Sequence, residues 1–154
     1  MRRQRGFTLV ELVVTLVIAS VLATVAMPGM STMLVSNRIR TSGTDLMSAL
    51  LLARSEAIKR NGQVAVQPAI AGDWSQGWIV EAVGGGEQYE RREALGTDVQ
   101  VSGGPTEIVY DRNGRLTALG MTKLQLDDAH GRVTPRCLAI DLSGMPRISY
   151  GSCT

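Results

Sequence analysis

Residues 12–37 contain no Asp, Glu, Lys or Arg. About 20 apolar residues cross the hydrocarbon core of a bilayer, and residues 12–34 supply that length. Aromatic residues are scarce, at 4% of 154 positions, so any core relies on Val, Leu, Ile and Ala. There is one histidine, His130, close to Asp127 and Asp128. Three ligands in one short loop make a weak metal signal, and a solvated turn is the preferred reading. With no second histidine to act as a base, and no serine in a nucleophile-elbow context, hydrolase chemistry is not supported. The run Gly84-Gly85-Gly86 lacks the Lys-Ser/Thr pair and following helix of a phosphate loop. The chain is not expected to be an enzyme, and neither a cofactor nor a metal site is expected.

What charge there is lies unevenly. Only Glu11, Asp45 and Glu56 precede Gly62 among the acidic residues. The formal charge of +2 depends on Arg2, Arg3 and Arg5: without them Lys+Arg falls from 16 to 13 against 14 Asp+Glu, a net of −1. Overall charge therefore gives no support for bulk nucleic-acid affinity. Glycine is abundant, at 17 residues, and clusters in the C-terminal half, as suits a turn-rich β domain. The two cysteines, Cys137 and Cys153, form an even pair, which in an exported chain suggests a disulfide.

The N-terminus admits three readings. A secretory signal peptide would have its basic region at Arg2, Arg3 and Arg5 and small residues for cleavage at Ala23 and Ala26. Glu11 interrupts that pattern, and helical periodicity continues past the cut. A plain membrane anchor explains the length and, by its basic flank, an orientation with the C-terminal part outside the cytoplasm. It does not explain Glu11. A carboxylate near an apolar span costs about 2.5–3.5 kcal/mol on insertion scales when central, which points to a functional role with a partner.

The third reading adds the short basic leader. Met1 to Gly6 is followed by Phe7-Thr8-Leu9-Val10-Glu11, and "GFTLVEL" resembles the class III signal of type IV pilins and type II secretion pseudopilins. The resemblance implies cleavage by a prepilin peptidase between Gly6 and Phe7, then methylation of the new amine of Phe7. It also implies that Glu11 pairs with the N-terminal amine of a neighbouring subunit during assembly. The physics agrees: a partner that arrives only on docking lowers the cost of the carboxylate only then.

Beyond the apolar segment the pattern stays helical. Leu46, Leu50, Ala53 and Ala57, widened by Met47, Leu51 and Ile58, form a stripe, with charges on the other positions. Glu56 and Arg60 form an i,i+4 pair, and Asn61-Gly62 is a suitable helix end. From Phe7 to Asn61 this predicts a helix of roughly 80 Å. Pro28 predicts a kink, and Gly43 a second weak point. The stretch "LLLARSEAIKRNG" resembles the helix end of the GspH/FimT group of minor pilins and pseudopilins.

From residue 63 onward short strands are expected at 64–67, 77–83, 99–102, 107–110, 123–126, 137–142 and 147–150. Asn113-Gly114 predicts a hairpin joining "TEIVYD" to "RLTAL", and Ser143-Gly144 a second turn. In "CLAIDL", Leu138, Ile140 and Leu142 are expected on one face. The fold class is α+β: a long N-terminal helix packed on a C-terminal antiparallel β-sheet head, pilin-like. The expected division is 1–6 leader, 7–34 transmembrane and filament-core helix, 35–62 amphipathic stalk, and 63–154 head. Trp74 and Trp78 are read as core packing rather than a stacking platform.

The resemblance implies a minor pilin of a type IV pilus system that primes assembly or caps the tip. A type II secretion pseudopilin and a DNA-binding minor pilin for natural transformation are the alternatives. Implied partners are other major and minor pilins or pseudopilins, the prepilin peptidase, the inner-membrane assembly platform and membrane lipid. Implied localisation is the bacterial inner membrane, single-pass with a periplasmic head, then the filament. DNA binding in FimT-type pilins is associated with a Gly-Arg-x-Arg motif; here Gly144-Met145-Pro146-Arg147 keeps only the Gly and second Arg. Arg132, Arg136 and Arg147, with Arg112 and Arg115 nearby, are the candidate phosphate contacts. So reduced a cluster predicts weak, salt-sensitive binding at best.

Overall fold

The computed structural model describes residues 7–154, apart from the side chains of residues 25–28. The leader (1–6), including Gly6, and the Pro28 ring therefore lie outside the described residues. One helix, α1 (Leu9–Arg60), precedes eight strands: β1 (Val64–Ile70), β2 (Asp73–Ala82), β3 (Gln88–Arg92), β4 (Val99–Gly103), β5 (Ile108–Tyr110), β6 (Thr122–Asp128), β7 (Arg136–Ile140) and β8 (Pro146–Tyr150). The chain divides into two compact units, with the boundary between Leu34 and Val35.

In the first unit the described side chains of residues 7–24 are all exposed, among them Leu9, Val13, Leu16, Val17, Val21 and Leu22. Three of its hydroxyls are satisfied on the helix itself. Thr15, Ser20 and Thr24 donate to the carbonyls of Leu12, Val17 and Val21 at 2.8, 2.8 and 2.7 Å. That is what hydrocarbon demands of a polar side chain. No single helix among the described residues meets the length and apolarity of a span; Leu9–Thr24 and Gly29–Arg60 do so only as a broken pair.

The second unit carries the core. Val35, Ile39, Leu46, Ala49, Leu50, Ala53 and Ala57 are buried on one face of α1, at the three- and four-residue steps of a helix. They pack against two antiparallel four-stranded sheets, ordered β3-β2-β1-β5 and β4-β6-β7-β8. In β6 burial alternates strictly, with Thr122, Leu124, Leu126 and Asp128 inward. Trp74 and Trp78 lie in this core, and the Trp74 indole donates to the Pro105 carbonyl at 3.0 Å.

Several local expectations change. Ile58 is half exposed, so the buried stripe runs through Ala49 rather than past Ile58. Gly43 does not interrupt α1; it is buried where the helix meets β6 and β8. A Cβ there would lie 3.6 Å from Ile148 Cδ1 and 3.8 Å from Leu126 Cδ2, ordinary contact distances. Gly43→Ala is therefore expected to stabilise the head by about 0.5–1 kcal/mol, read as a rise in the urea midpoint. A fall would mean that the helix cannot accept even a methyl at this point.

β3 was not foreseen: "QYERR" is a charged edge strand with little burial, so it carries no hydrophobic alternation. The hairpin arm "RLTAL" is reduced to one bridge, Tyr110–Leu116. After the Thr117 bond to Val109 the pairing stops; residues 117–121 are exposed, Leu119 fully so. Strand β7 ends at Ile140, so Leu142 leaves the inner face for an exposed turn.

Candidate assembly site

The first turn of α1 is capped. Thr8 Oγ1 accepts the Glu11 N–H at 3.2 Å, and Leu12 N–H donates to the Thr8 carbonyl at 3.2 Å. Thr8 is the N-cap and Glu11 the third helical residue, the spacing of a capping box. Glu11 thus sits where a carboxylate interacts favourably with the helix dipole. Its carboxylate has no ion-pair partner among the described residues, and Phe7 stands exposed ahead of the cap. The Thr8 cap was legible as Thr-x-x-Glu, but the cost of burying Glu11 drew attention away from it.

Three turns of one four-residue motif, Asp-x-x-Gly, organise the head. Asp111, Asp128 and Asp141 each stand three residues before a glycine with positive φ: Gly114, Gly131 and Gly144. In each turn the glycine N–H donates to the Asp carbonyl, at 2.8, 2.9 and 2.9 Å. In each, the Asp carboxylate also accepts the N–H two residues on. The Asn113-Gly114 turn is consequently a type I turn closed by a left-handed glycine, not a primed two-residue turn, because Asn113 keeps a negative φ.

Two of these turns meet. A Cβ on Gly144 would collide with the Gly114 carbonyl oxygen. That oxygen also accepts from Arg54 Nε at 2.9 Å, and Arg54 Nη1 reaches Met145 Sδ at 3.1 Å. One helix arginine thus ties the β5 loop to the β7–β8 loop.

The third turn explains "DDAHG". Asp128 is inward-facing, with its side chain inaccessible to solvent, and Arg132 reaches it through backbone N–H, Nε and Nη2 at 2.6, 2.9 and 2.9 Å. The Arg132 side chain, then the backbone donors of Arg132 and His130, hold the carboxyl well below the usual range. Asp98 extends the network to Arg38 at 2.5 Å and to Arg132 at 3.5 Å. No group of His, Cys, Asp and Glu among the described residues is arranged to hold a metal. Because the Asp128 pKa is depressed on folding, its stabilisation is complete above the unfolded value near 4 and is lost as pH falls below it. Asp128→Asn is expected to be less stable at pH 7 and to show a shallower loss of stability between about pH 4 and 2. Parallel acid-unfolding curves for parent and variant would exclude this role.

The candidate arginines are not brought together. Arg132 is engaged by Asp128 and Asp98. Arg136 lies over the Tyr150 ring, 4.2 Å from its centroid. Arg147 stands opposite Ala139, and Arg136 opposite Tyr150, an odd number of positions apart along β7; they point from opposite faces of the sheet. Arg112 and Arg115 lie in and just after the Asp111 turn.

Cys137 and Cys153 form a disulfide, with Cα atoms 5.0 Å apart. It pins the segment after β8 across the outer face of β6 and β7. There Cys153 N–H donates to Gln125 Oε1 at 2.8 Å, and Lys123 Nζ bonds the Thr154 carbonyl.

Solved structures share the fold. Minor pilin FimU of Pseudomonas aeruginosa aligns with a TM-score of 0.62 and 18% identity, over 76% of this chain and 90% of that one. The minor pseudopilin EpsH from the type 2 secretion system of Vibrio cholerae aligns with a TM-score of 0.57 and 13% identity, over 73% of this chain and 97% of that one. No curated protein shows significant sequence similarity. The prokaryotic N-terminal methylation motif matches residues 1–27, and the model for type II transport protein GspH matches residues 42–144. With a methylation motif at its start and the GspH model covering most of its head, the chain belongs to the GspH family of minor pilins and pseudopilins.

Proposed function

We propose that this chain is a low-copy minor subunit of a type IV pilus that primes assembly or caps the tip. The observation that carries the reading is the first unit: an apolar helical surface with no packing of its own and one carboxylate without an ion partner among the described residues. Such a helix is completed only by lipid and then by neighbouring subunits. On this reading the prepilin peptidase cuts between Gly6 and Phe7 and methylates Phe7, and Glu11 docks on the amine of the adjoining major or minor pilin. Residues 7–34 anchor the chain in the inner membrane and enter the filament core through the assembly platform. Pro28 relaxes the helix on that passage. Residues 35–62 form the stalk, and the head, residues 63–154, selects neighbours in the periplasm.

Surface pilin, sheared from a deletion strain and its complemented parent, tests this. Loss of pilin restored by complementation is the expected result; unchanged yield removes the priming role. The same physics serves a type II secretion pseudopilus, and the likeness to EpsH supports that second reading. Loss of secreted protein with normal pilus yield would select it. The DNA-receptor reading rests on Arg147, since Arg132 and Arg136 are already engaged within the head.

A further inference from the structure

The two sheets of the head differ in how their edges are protected. The outer side of β5 is closed by residues 115–117, through the Tyr110–Leu116 bridge and the Thr117 N–H bond to the Val109 carbonyl at 3.0 Å. β4 lies beside β2, where Ser75 Oγ accepts the Val101 N–H at 2.9 Å. β3 is open, but Glu90, Arg91 and Arg92 occupy three of its five positions, and its pairing with β2 shifts register. Charges and bulges are the usual guards of an open edge. The remaining edge, β8, has a single charge, Arg147, and runs in unbroken register with β7.

The register fixes which backbone groups that edge presents. Gly151 N–H donates to the Pro135 carbonyl at 2.9 Å, so this opposed pair is of the hydrogen-bonded kind. Hydrogen-bonded and non-bonded pairs alternate along an antiparallel ladder. Ser149 and Arg147 therefore turn their backbone groups toward β7, while Tyr150, Ile148 and Pro146 turn theirs away. Pro146 falls where its missing N–H removes no ladder bond. The free edge offers the N–H and carbonyl groups of Ile148 and Tyr150, Pro146 being buried. No hydrogen bond among the described residues reaches them.

The charge around this edge has one sign. β7 and β8 carry Arg136 and Arg147 and no acidic residue. The nearby Asp141 carboxylate is committed to Ser143 and its own turn. Arg147 is exposed on the outer face, and the C-terminal segment, stapled over β6 and β7, leaves the β8 edge uncovered.

We propose that β8 accepts an extended, acid-bearing segment of another filament subunit as an added strand, with a carboxylate opposite Arg147. Outward backbone groups supply the hydrogen bonds and Arg147 supplies the choice of partner. The proposal rests on the assembly reading above.

Three variants and one cross-linker test it in the native host, scored by recovery of the chain in sheared filaments. Tyr150→Pro deletes an outward N–H and leaves the β7 ladder whole; it is expected to lower incorporation at least tenfold. Tyr150→Ala keeps the N–H and is expected to stay within twofold of the parent. Arg147→Glu, at an exposed position outside the core, is expected to lower incorporation severalfold with the urea midpoint of the head unchanged. A photo-reactive benzoylphenylalanine in place of Tyr150 is expected to cross-link, within the filament, to a strand-forming segment of another subunit that contains Asp or Glu. Equal loss in Tyr150→Pro and Tyr150→Ala would make the ring, not the edge, responsible and overturn strand addition. Normal incorporation of Tyr150→Pro and Arg147→Glu beside a failing Glu11→Ala would remove the edge proposal and leave the assembly reading standing. Absence of the parent chain from filaments would remove both. A nuclease-sensitive cross-link would replace the peptide with nucleic acid.

Discussion

Glu11→Ala will be cleaved after Gly6 like the parent but will fail to enter filaments. On the proposed reading the scissile bond between Gly6 and Phe7 precedes the Thr8 cap in the sequence, so the substitution leaves the residues flanking it unchanged. What it removes is a carboxylate that the chain itself leaves without an ion partner among the described residues. If the intersubunit pair contributes about 2–3 kcal/mol, within the range measured for desolvated charge pairs, incorporation falls roughly 30- to 150-fold. Immunoblots of membrane and sheared fractions read both effects. Glu11→Gln separates charge from helix capping, because Gln serves in a capping box but carries no charge. Incorporation of the Gln variant at the parental level would show that Glu11 acts on its own helix, and the ion-pair account would fail.

The second large effect is expected at the disulfide. Replacing both Cys137 and Cys153 by Ala is expected to cost the head about 3 kcal/mol, the chain-entropy value for a loop of this size. The bond secures a segment whose last two residues are otherwise held by the polar contacts to Gln125 and Lys123. Urea unfolding of the parent with and without reductant should reproduce the shift. A loss below about 1 kcal/mol would mean that those polar contacts hold the segment unaided.

Helix α1 was legible in the sequence because its signal is long: an uncharged run, then an apolar stripe at helical steps ending at Asn61-Gly62. The inner positions Leu138 and Ile140 of β7 were legible from alternation, while β6 and β8 were legible only as strands. β3 was not, because a charged edge strand has no buried face to leave a pattern. The arginine cluster failed for a related reason. Proximity in sequence ignores the pleat, which sends Arg136 and Arg147 to opposite faces, and it cannot see that Asp128 claims Arg132. The three Asp-x-x-Gly turns were legible in principle; read singly, "DDAHG" suggests a solvated turn, and Asn113-Gly114 and Ser143-Gly144 suggest hairpin turns, without the shared aspartate.

The hydroxyls of Thr15, Ser20 and Thr24 have a wider consequence. Since they are satisfied within their own helix, the segment has no polar appetite for one neighbour over another. On the assembly reading, acyl chains and the flanks of other helices then differ little in polarity for these three positions, and Glu11 is the exception. Such a segment is an interchangeable plug. On the assembly reading proposed above, the direction of transfer is left to Glu11 and the choice of subunit to the head.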